Sequence, residues 1–90
     1  GTQADVVNNV VYIGSYDRQV YALNATRGSV LWHFQTRGRV LSMPTLNNGV
    51  VYVGSDDRNL YALNTTDGTA TWHFSANGGI EDAPAVVQLS

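Results

Sequence analysis

Residues 21–34 read YALNATRGSVLWHF, and residues 61–74 read YALNTTDGTATWHF. The second stretch repeats the first at an offset of forty positions, and the likeness extends to both sides. Upstream, Tyr12, Gly14, Ser15, Asp17 and Arg18 recur as Tyr52, Gly54, Ser55, Asp57 and Arg58; downstream, Gly38 recurs as Gly78. A fixed period of this length marks a chain built from stacked copies of one supersecondary unit. The opening segment of the unit occurs three times, as ADVV (4–7), PTLN (44–47) and PAVV (84–87).

Each unit divides into four short strands. VVYIG (10–14), VYAL (20–23) and SVLWHF (29–34) are rich in β-branched and aromatic residues, and ADVV supplies the fourth. Turn residues separate them: Asn8-Asn9 and Asn47-Asn48-Gly49, Tyr16-Asp17-Arg18 and Asp56-Asp57-Arg58, Thr26-Arg27-Gly28 and Thr66-Asp67-Gly68. Asn-Gly and Asp-Gly suit hairpins because those turns need positive φ. Nothing reads as helical. In VVYVG (50–54) both alternating sets are apolar, Val51 and Val53 on one side and Val50 and Tyr52 on the other. A sheet with one wet face alternates apolar with polar, so these strands call for cover on both faces. The last strand is wetter, with His33 between Trp32 and Phe34, and with Thr71 and His73 flanking Trp72. Buried middle strands and a wet outer strand describe a propeller blade. The fold class is therefore all-β, two four-stranded antiparallel blades: blade 1 over residues 1–43, blade 2 over 44–83, and a surplus inner strand over 84–90.

Ala22-Leu23-Asn24-Ala25-Thr26-Arg27-Gly28-Ser29-Val30-Leu31-Trp32 resembles the tryptophan-docking motif A-x-D-x-x-T-G-x-x-x-W of the quinoprotein (PQQ) dehydrogenase propellers. Ala62, Gly68 and Trp72 match it a second time. VVYVGSDDRNLYALN (50–64) is also similar to the PQQ-type repeat of the periplasmic lipoprotein of outer-membrane protein assembly. The motif's Asp is replaced by Asn24 and Asn64 and its Thr by Arg27 and Asp67. An Asn still bonds the turn through its side chain. The resemblance implies that Trp32 and Trp72 are inter-blade docking residues, stacking beside Ala22 and Gly28 or Ala62 and Gly68. An indole buries a large apolar area and its N–H needs a partner. Truncating a buried one to Ala costs roughly 3–5 kcal/mol.

The resemblance implies a propeller of about seven or eight blades, at the upper end of the ~4–8 over which propellers close, and two blades leave two apolar faces bare. Such faces mark association surfaces, so the expected partner is a second copy of the chain, a tetramer giving eight blades, with a further protein partner as an alternative. The surplus segment is expected to enter the first blade of a neighbouring copy in the place of ADVV. Deleting 83–90 then weakens assembly more than deleting 1–5.

Composition narrows the function. The chain has 90 residues, no cysteine and a net charge of −2, with arginine as its only cation at neutral pH. These features give no reason to expect nucleic-acid binding and exclude disulfides and cysteine-ligated zinc. No apolar stretch approaches the ~20 residues of a membrane-spanning helix, so no membrane insertion is expected. The resemblance suggests a periplasmic or extracellular setting.

The chain reads as a structural and interaction scaffold, not an enzyme, with no cofactor. Two alternatives stand beside it: a non-catalytic fragment of a quinoprotein dehydrogenase, and a polar-ligand funnel on a charged loop face. For the funnel, the turns between second and third strands and the links between blades gather Arg18, Arg37, Arg39, Arg58, Glu81 and Asp82 together with Asp17, Asp56 and Asp57. A solvated loop face, with Asp17-Arg18 and Asp57-Arg58 as ion pairs worth under ~1 kcal/mol, is the simpler account. His33 and His73 lie on rim strands of different blades and are not expected to converge on a metal. Asn24-Ala25-Thr26 and Asn64-Thr65-Thr66 are formal glycosylation sequons, better explained as turn chemistry. The serines lie in no nucleophile elbow, and no paired carboxylates or phosphate loop stand out. The resemblance does not carry quinone binding, for no cysteine supplies a vicinal disulfide and no calcium cluster is evident.

Overall fold

A computed structural model describes residues 4–7 and 9–89. The described elements are β1 (Ala4–Val7), β2 (Val10–Gly14), β3 (Gln19–Asn24), β4 (Val30–Gln35), β5 (Thr45–Asn47), β6 (Val50–Gly54), β7 (Asn59–Asn64) and β8 (Ala70–Ser75). They form two four-stranded antiparallel sheets, ordered β1-β2-β3-β4 and β5-β6-β7-β8. The last strand of the first unit starts one residue later than expected and ends at Gln35, and its counterpart in the second ends at Ser75. The Cα envelope measures 38 × 37 × 20 Å, and its short axis is what two sheets stacked ~10 Å apart occupy.

The turns follow from their residues. Asn48 (φ 50°) and Gly49 (φ 77°) close the β5–β6 hairpin with both central residues left-handed, the geometry whose twist matches the strands. Asn24 and Asn64 hold the next turn by an Asx bond: Asn24 Oδ1 accepts from the backbone N–H groups of Thr26 (2.9 Å) and Arg27 (3.0 Å), and Asn64 Oδ1 from that of Thr66 (2.8 Å). The Asn that stands for the motif's Asp thus keeps its turn-forming role.

The β2–β3 and β6–β7 turns depart from expectation. Arg18 and Arg58 are left-handed, at φ 74° and 76°, and neither pairs with the adjacent aspartate. Asp17 instead accepts from the Gln19 N–H and the Tyr21 hydroxyl, and Asp57 from the Asn59 N–H (2.9 Å) and the Tyr61 hydroxyl (2.5 Å). The aspartates stabilise these turns by hydrogen bonds, not by ion pairs. The ion pair found among the described residues joins Arg39 to Asp56, 3.7 Å apart.

The core lies between the sheets. Tyr12, Val20, Ala22, Trp32 and Val40 come from blade 1, and Val51, Val53 and Leu63 from blade 2. Alternation puts Tyr12, Ala22 and Trp32 on one face of blade 1, where Ala22 stands opposite both Tyr12 and Trp32 in register. Between Ala22 and Leu23 the pairing jumps from Trp32 to Val30, leaving Leu31 as the extra residue of a bulge; Thr71 is its counterpart in blade 2.

The three copies of the opening segment fare differently. β1 pairs with β2 from Ala4↔Ile13 to Val7↔Val10, and β5 pairs with β6 from Thr45↔Tyr52 to Asn47↔Val50. Residues 84–89 form no regular strand within the chain; Ser90 lies outside the described residues, as does Asn8 of the first turn. The Pro84 carbonyl accepts a bond from the Thr45 hydroxyl at 2.5 Å.

Candidate functional site

One blade-to-blade interface exists inside the chain, and its geometry is specific. The Trp32 indole donates its Nε1–H to the Thr65 carbonyl at 2.8 Å. Its ring lies against Gly68, where an added Cβ would sit 2.4 Å from Trp32 Cε3. Gly68 has φ 76°, so glycine serves both the turn and the indole. Within its own blade the ring packs on Tyr12, centroids 6.0 Å apart, and it is left 8% exposed. Further out, Phe34 meets Tyr61 edge-on at 5.1 Å, a favoured aromatic geometry.

A polar cluster fixes the base of the same interface. The Thr36 hydroxyl donates within reach of the Arg18 and Gly38 carbonyls, at 2.9 and 2.6 Å, and Ser55 Oγ lies 3.2 Å from Thr36 Oγ1. Thr36, Ser42 and Ser55 are buried. The structural role of Ser55 is signalled in the sequence only by the repeated Gly-Ser pair at 14–15 and 54–55. Asp57 adds a clasp by accepting the Arg37 backbone N–H at 3.1 Å.

Burial opposes ionisation of Asp57, but the Tyr61 hydroxyl, the Arg37 and Asn59 N–H groups and Ser55 outweigh it and hold the carboxyl below its ordinary range. Burial, followed by the Asp57 bond, pushes the Tyr61 phenol up to about 12. The signs are opposite. The depressed Asp57 stabilises the fold above the unfolded carboxyl value of ~3.9, and this is lost as pH falls through the folded value. The raised Tyr61 stabilises below the unfolded value of ~10, and this is lost as pH climbs towards about 12. Asp57→Asn should flatten the acid side of a fluorescence-monitored pH titration, and Tyr61→Phe the alkaline side.

The loop-face residues gather in part. The links between blades do run beside the β2–β3 and β6–β7 turns: Thr36 N bonds Arg18 O, Val40 N bonds Ser15 O, and Asp56 N bonds Arg39 O. Arg39 is engaged by Asp56 and lies over the Tyr16 ring at 5.5 Å. Arg18, Arg58, Glu81 and Asp82 are exposed. Arg37 lines a cavity of about 300 Å3 with Asn59, Tyr61 and His73. Asp56 Oδ1 is buried without a hydrogen-bond partner among the described residues. His33 lies beside Gln19, its Nδ1 2.6 Å from Oε1, and no group of three or more His, Cys, Asp or Glu side chains is placed to hold a metal among the described residues. No helix there is long and apolar enough to cross a membrane.

The repeat equivalents of the internal interface are open. Trp72 is 48% and Phe74 60% exposed. Gly28 has nothing within 4 Å of an added Cβ. Val11, Ile13 and Leu23 are partly exposed where Val51, Val53 and Leu63 are buried.

A family model described as outer membrane protein assembly factor BamB matches residues 1–90. The chain belongs to this PQQ-type family. Among solved structures it is similar to BamB from Moraxella catarrhalis, with a TM-score of 0.73 and 21% identity over 86% of this chain and 23% of that one. It also resembles two computationally designed proteins at 14% identity: Ika4, TM-score 0.78 over 88% of this chain and 50% of that one, and Ika8, TM-score 0.80 over 94% and 27%. At these identities the likeness establishes the fold, a β-propeller architecture. Among curated proteins, a 37-residue stretch is 57% identical to the Danio rerio beta-alanine-activating enzyme, covering 41% of this chain and 3% of that protein. The chain thus spans a small part of that relative and a quarter to a half of the three structures.

Proposed function

We propose that the chain is a non-catalytic scaffold unit, two PQQ-type blades whose open faces dock on further copies of themselves to complete a propeller. The burial contrast between identical residues carries this reading. Trp32 is 8% exposed and Trp72 48%, although the two stand in the same motif. Gly68 receives an indole, whereas Gly28 faces open space. The bare faces are therefore the two halves of an interface already formed once within the chain. Joining them is heterologous, head to tail, and gives a ring when the rotation closes.

Four copies are favoured. The chain covers 23% of BamB and 27% of Ika8, so about four such units make up one of those chains, within the ~4–8 blades over which propellers close. The same faces are met equally well by further repeats of a longer chain. Its role as a protein-binding scaffold in outer-membrane protein assembly is suggested by the description of the family, and the match to an enzyme is confined to a stretch shorter than one repeat. Light scattering at micromolar concentration is expected to give about four times 9.7 kDa. A monodisperse monomer sinks self-assembly; a closed ring of another size corrects the number alone.

A second reading, polar-ligand binding, is favoured by the cavity beside Arg37, Asn59, Tyr61 and His73. Of the charged loop residues, Arg37 alone lines it, so Arg37→Ala in a binding screen against small anions is the discriminating variant.

A further inference from the structure

Two segments of this chain fit one slot. β5 reaches its place in blade 2 through a link in which Thr36 N bonds Arg18 O and Val40 N bonds Ser15 O. The link after blade 2 repeats those bonds, Ala76 N to Arg58 O and Ile80 N to Ser55 O. The chain therefore leaves blade 2 along the path by which it entered, and the Thr45 hydroxyl holds the Pro84 carbonyl beside β5. By the forty-residue offset, Ala85, Val86 and Val87 correspond to Thr45, Leu46 and Asn47, which pair with Tyr52, Val51 and Val50. Their partners in a following blade are Tyr12, Val11 and Val10 of another copy. Within each chain those three residues already face Asp5, Val6 and Val7 of β1.

We propose that residues 84–88 of one copy displace β1 and become the inner strand on β2 of the next copy. This rests on the self-assembly reading and adds a strand exchange to it. Three observations favour the tail over β1. The register position opposite Tyr12 is taken in β1 by a charged residue, Asp5, whereas β5 has Thr45 there and the tail Ala85. The tail's apolar residues are bare, with Val87 80% and Leu89 94% exposed, so insertion covers surface that the single chain cannot. Pro84 corresponds to Pro44, which is buried just ahead of β5, whereas Ala4 stands at that place before Asp5. Strand addition in trans pairs backbone groups of the irregular tail in exchange for those of the displaced β1, so the side chains decide between the two segments.

Directly opposed residues of antiparallel strands lie ~4.5–5.5 Å apart between Cα atoms, within disulfide reach, and the parent has no cysteine. The full-length double variant Val11→Cys, Val86→Cys, oxidised at micromolar concentration, is expected to run as covalent multimers on a non-reducing gel. Val6→Cys with Val11→Cys is expected to keep free thiols. The reverse pattern shows that β1 holds the slot and overturns the exchange. Light scattering on the parent separates the two readings: a multimer whose Val11–Val86 variant does not cross-link overturns the exchange and leaves assembly standing, and a monomer overturns both. Proline removes a ladder donor from a strand, which supplies a measurement free of engineered thiols. Val86→Pro is expected to raise the dissociation concentration by sedimentation at least about ten-fold more than Val6→Pro; equal effects, or the opposite ranking, overturn the proposal.

Discussion

Trp32→Ala is expected to destabilise the dilute chain by about 3–5 kcal/mol, whereas Trp72→Ala costs it about 1 kcal/mol or less, as an exposed substitution does. The residues are chemically identical and sit at the same place in the same motif. The difference lies in what each touches. Trp32 fills the space between two sheets and its indole N–H is bonded to the Thr65 carbonyl; truncation leaves a large void and takes a donor from a partly buried carbonyl. Trp72 retains its own-blade neighbour Tyr52, at 5.9 Å, but has no receiving turn within the chain. In an assembled ring the asymmetry vanishes, and Trp72→Ala should abolish association while leaving the monomer folded. Denaturant titration at submicromolar concentration and light scattering at high concentration read the two effects separately. Equal loss of monomer stability in both variants contradicts the docking assignment.

The receiving side gives the second large effect. Gly68→Ala places a methyl group 2.4 Å from Trp32 Cε3 in a residue held at φ 76°. Overpacking costs about 1–3 kcal/mol, and the left-handed backbone adds roughly 1–2 kcal/mol for a residue bearing a Cβ. Gly28→Ala shares the backbone cost, for its φ is 72°, but meets no neighbour. The difference between the two melting curves therefore isolates the indole contact. Above the association threshold Gly28→Ala is expected to acquire the same clash from a neighbouring copy's Trp72, so its penalty should grow with protein concentration while that of Gly68→Ala stays constant.

Much of this architecture is legible from residue types because the repeat presents the same evidence twice. Val50 to Val53 announces a two-sided strand, and Asn48-Gly49 announces the hairpin that the φ values confirm. Asn24 keeps the Asx bond expected of it. Other features depend on neighbours that a linear reading does not supply. Nothing in the motif distinguishes Trp32 from Trp72, because burial is set by whether another blade follows. The left-handed Arg18 and Arg58 were hidden because αL residues are ordinarily read from Gly or Asn; here the aspartate's own bonds to residues 19 and 59 shape the turn. Thr36 has no counterpart in the second unit, where Ala76 stands, so repetition did not flag it. The Arg37 cavity arises only where a link between blades passes the β7–β8 surface.

The bulge at Leu31 and Thr71 acts as a phase converter. Side chains along a strand alternate strictly, so a surplus residue sends every later side chain to the opposite side unless a bulge absorbs it. With the pairing jumping from Trp32 to Val30, Val30 keeps to the face of Leu23 and Trp32 to that of Ala22, although a single residue separates them. The bulge thus absorbs one position between Gly28 and Trp32 without turning the indole. Deleting Leu31 would leave both pairings in an unbroken ladder, so the direction in which successive units recognise each other tolerates a change of one residue in that stretch.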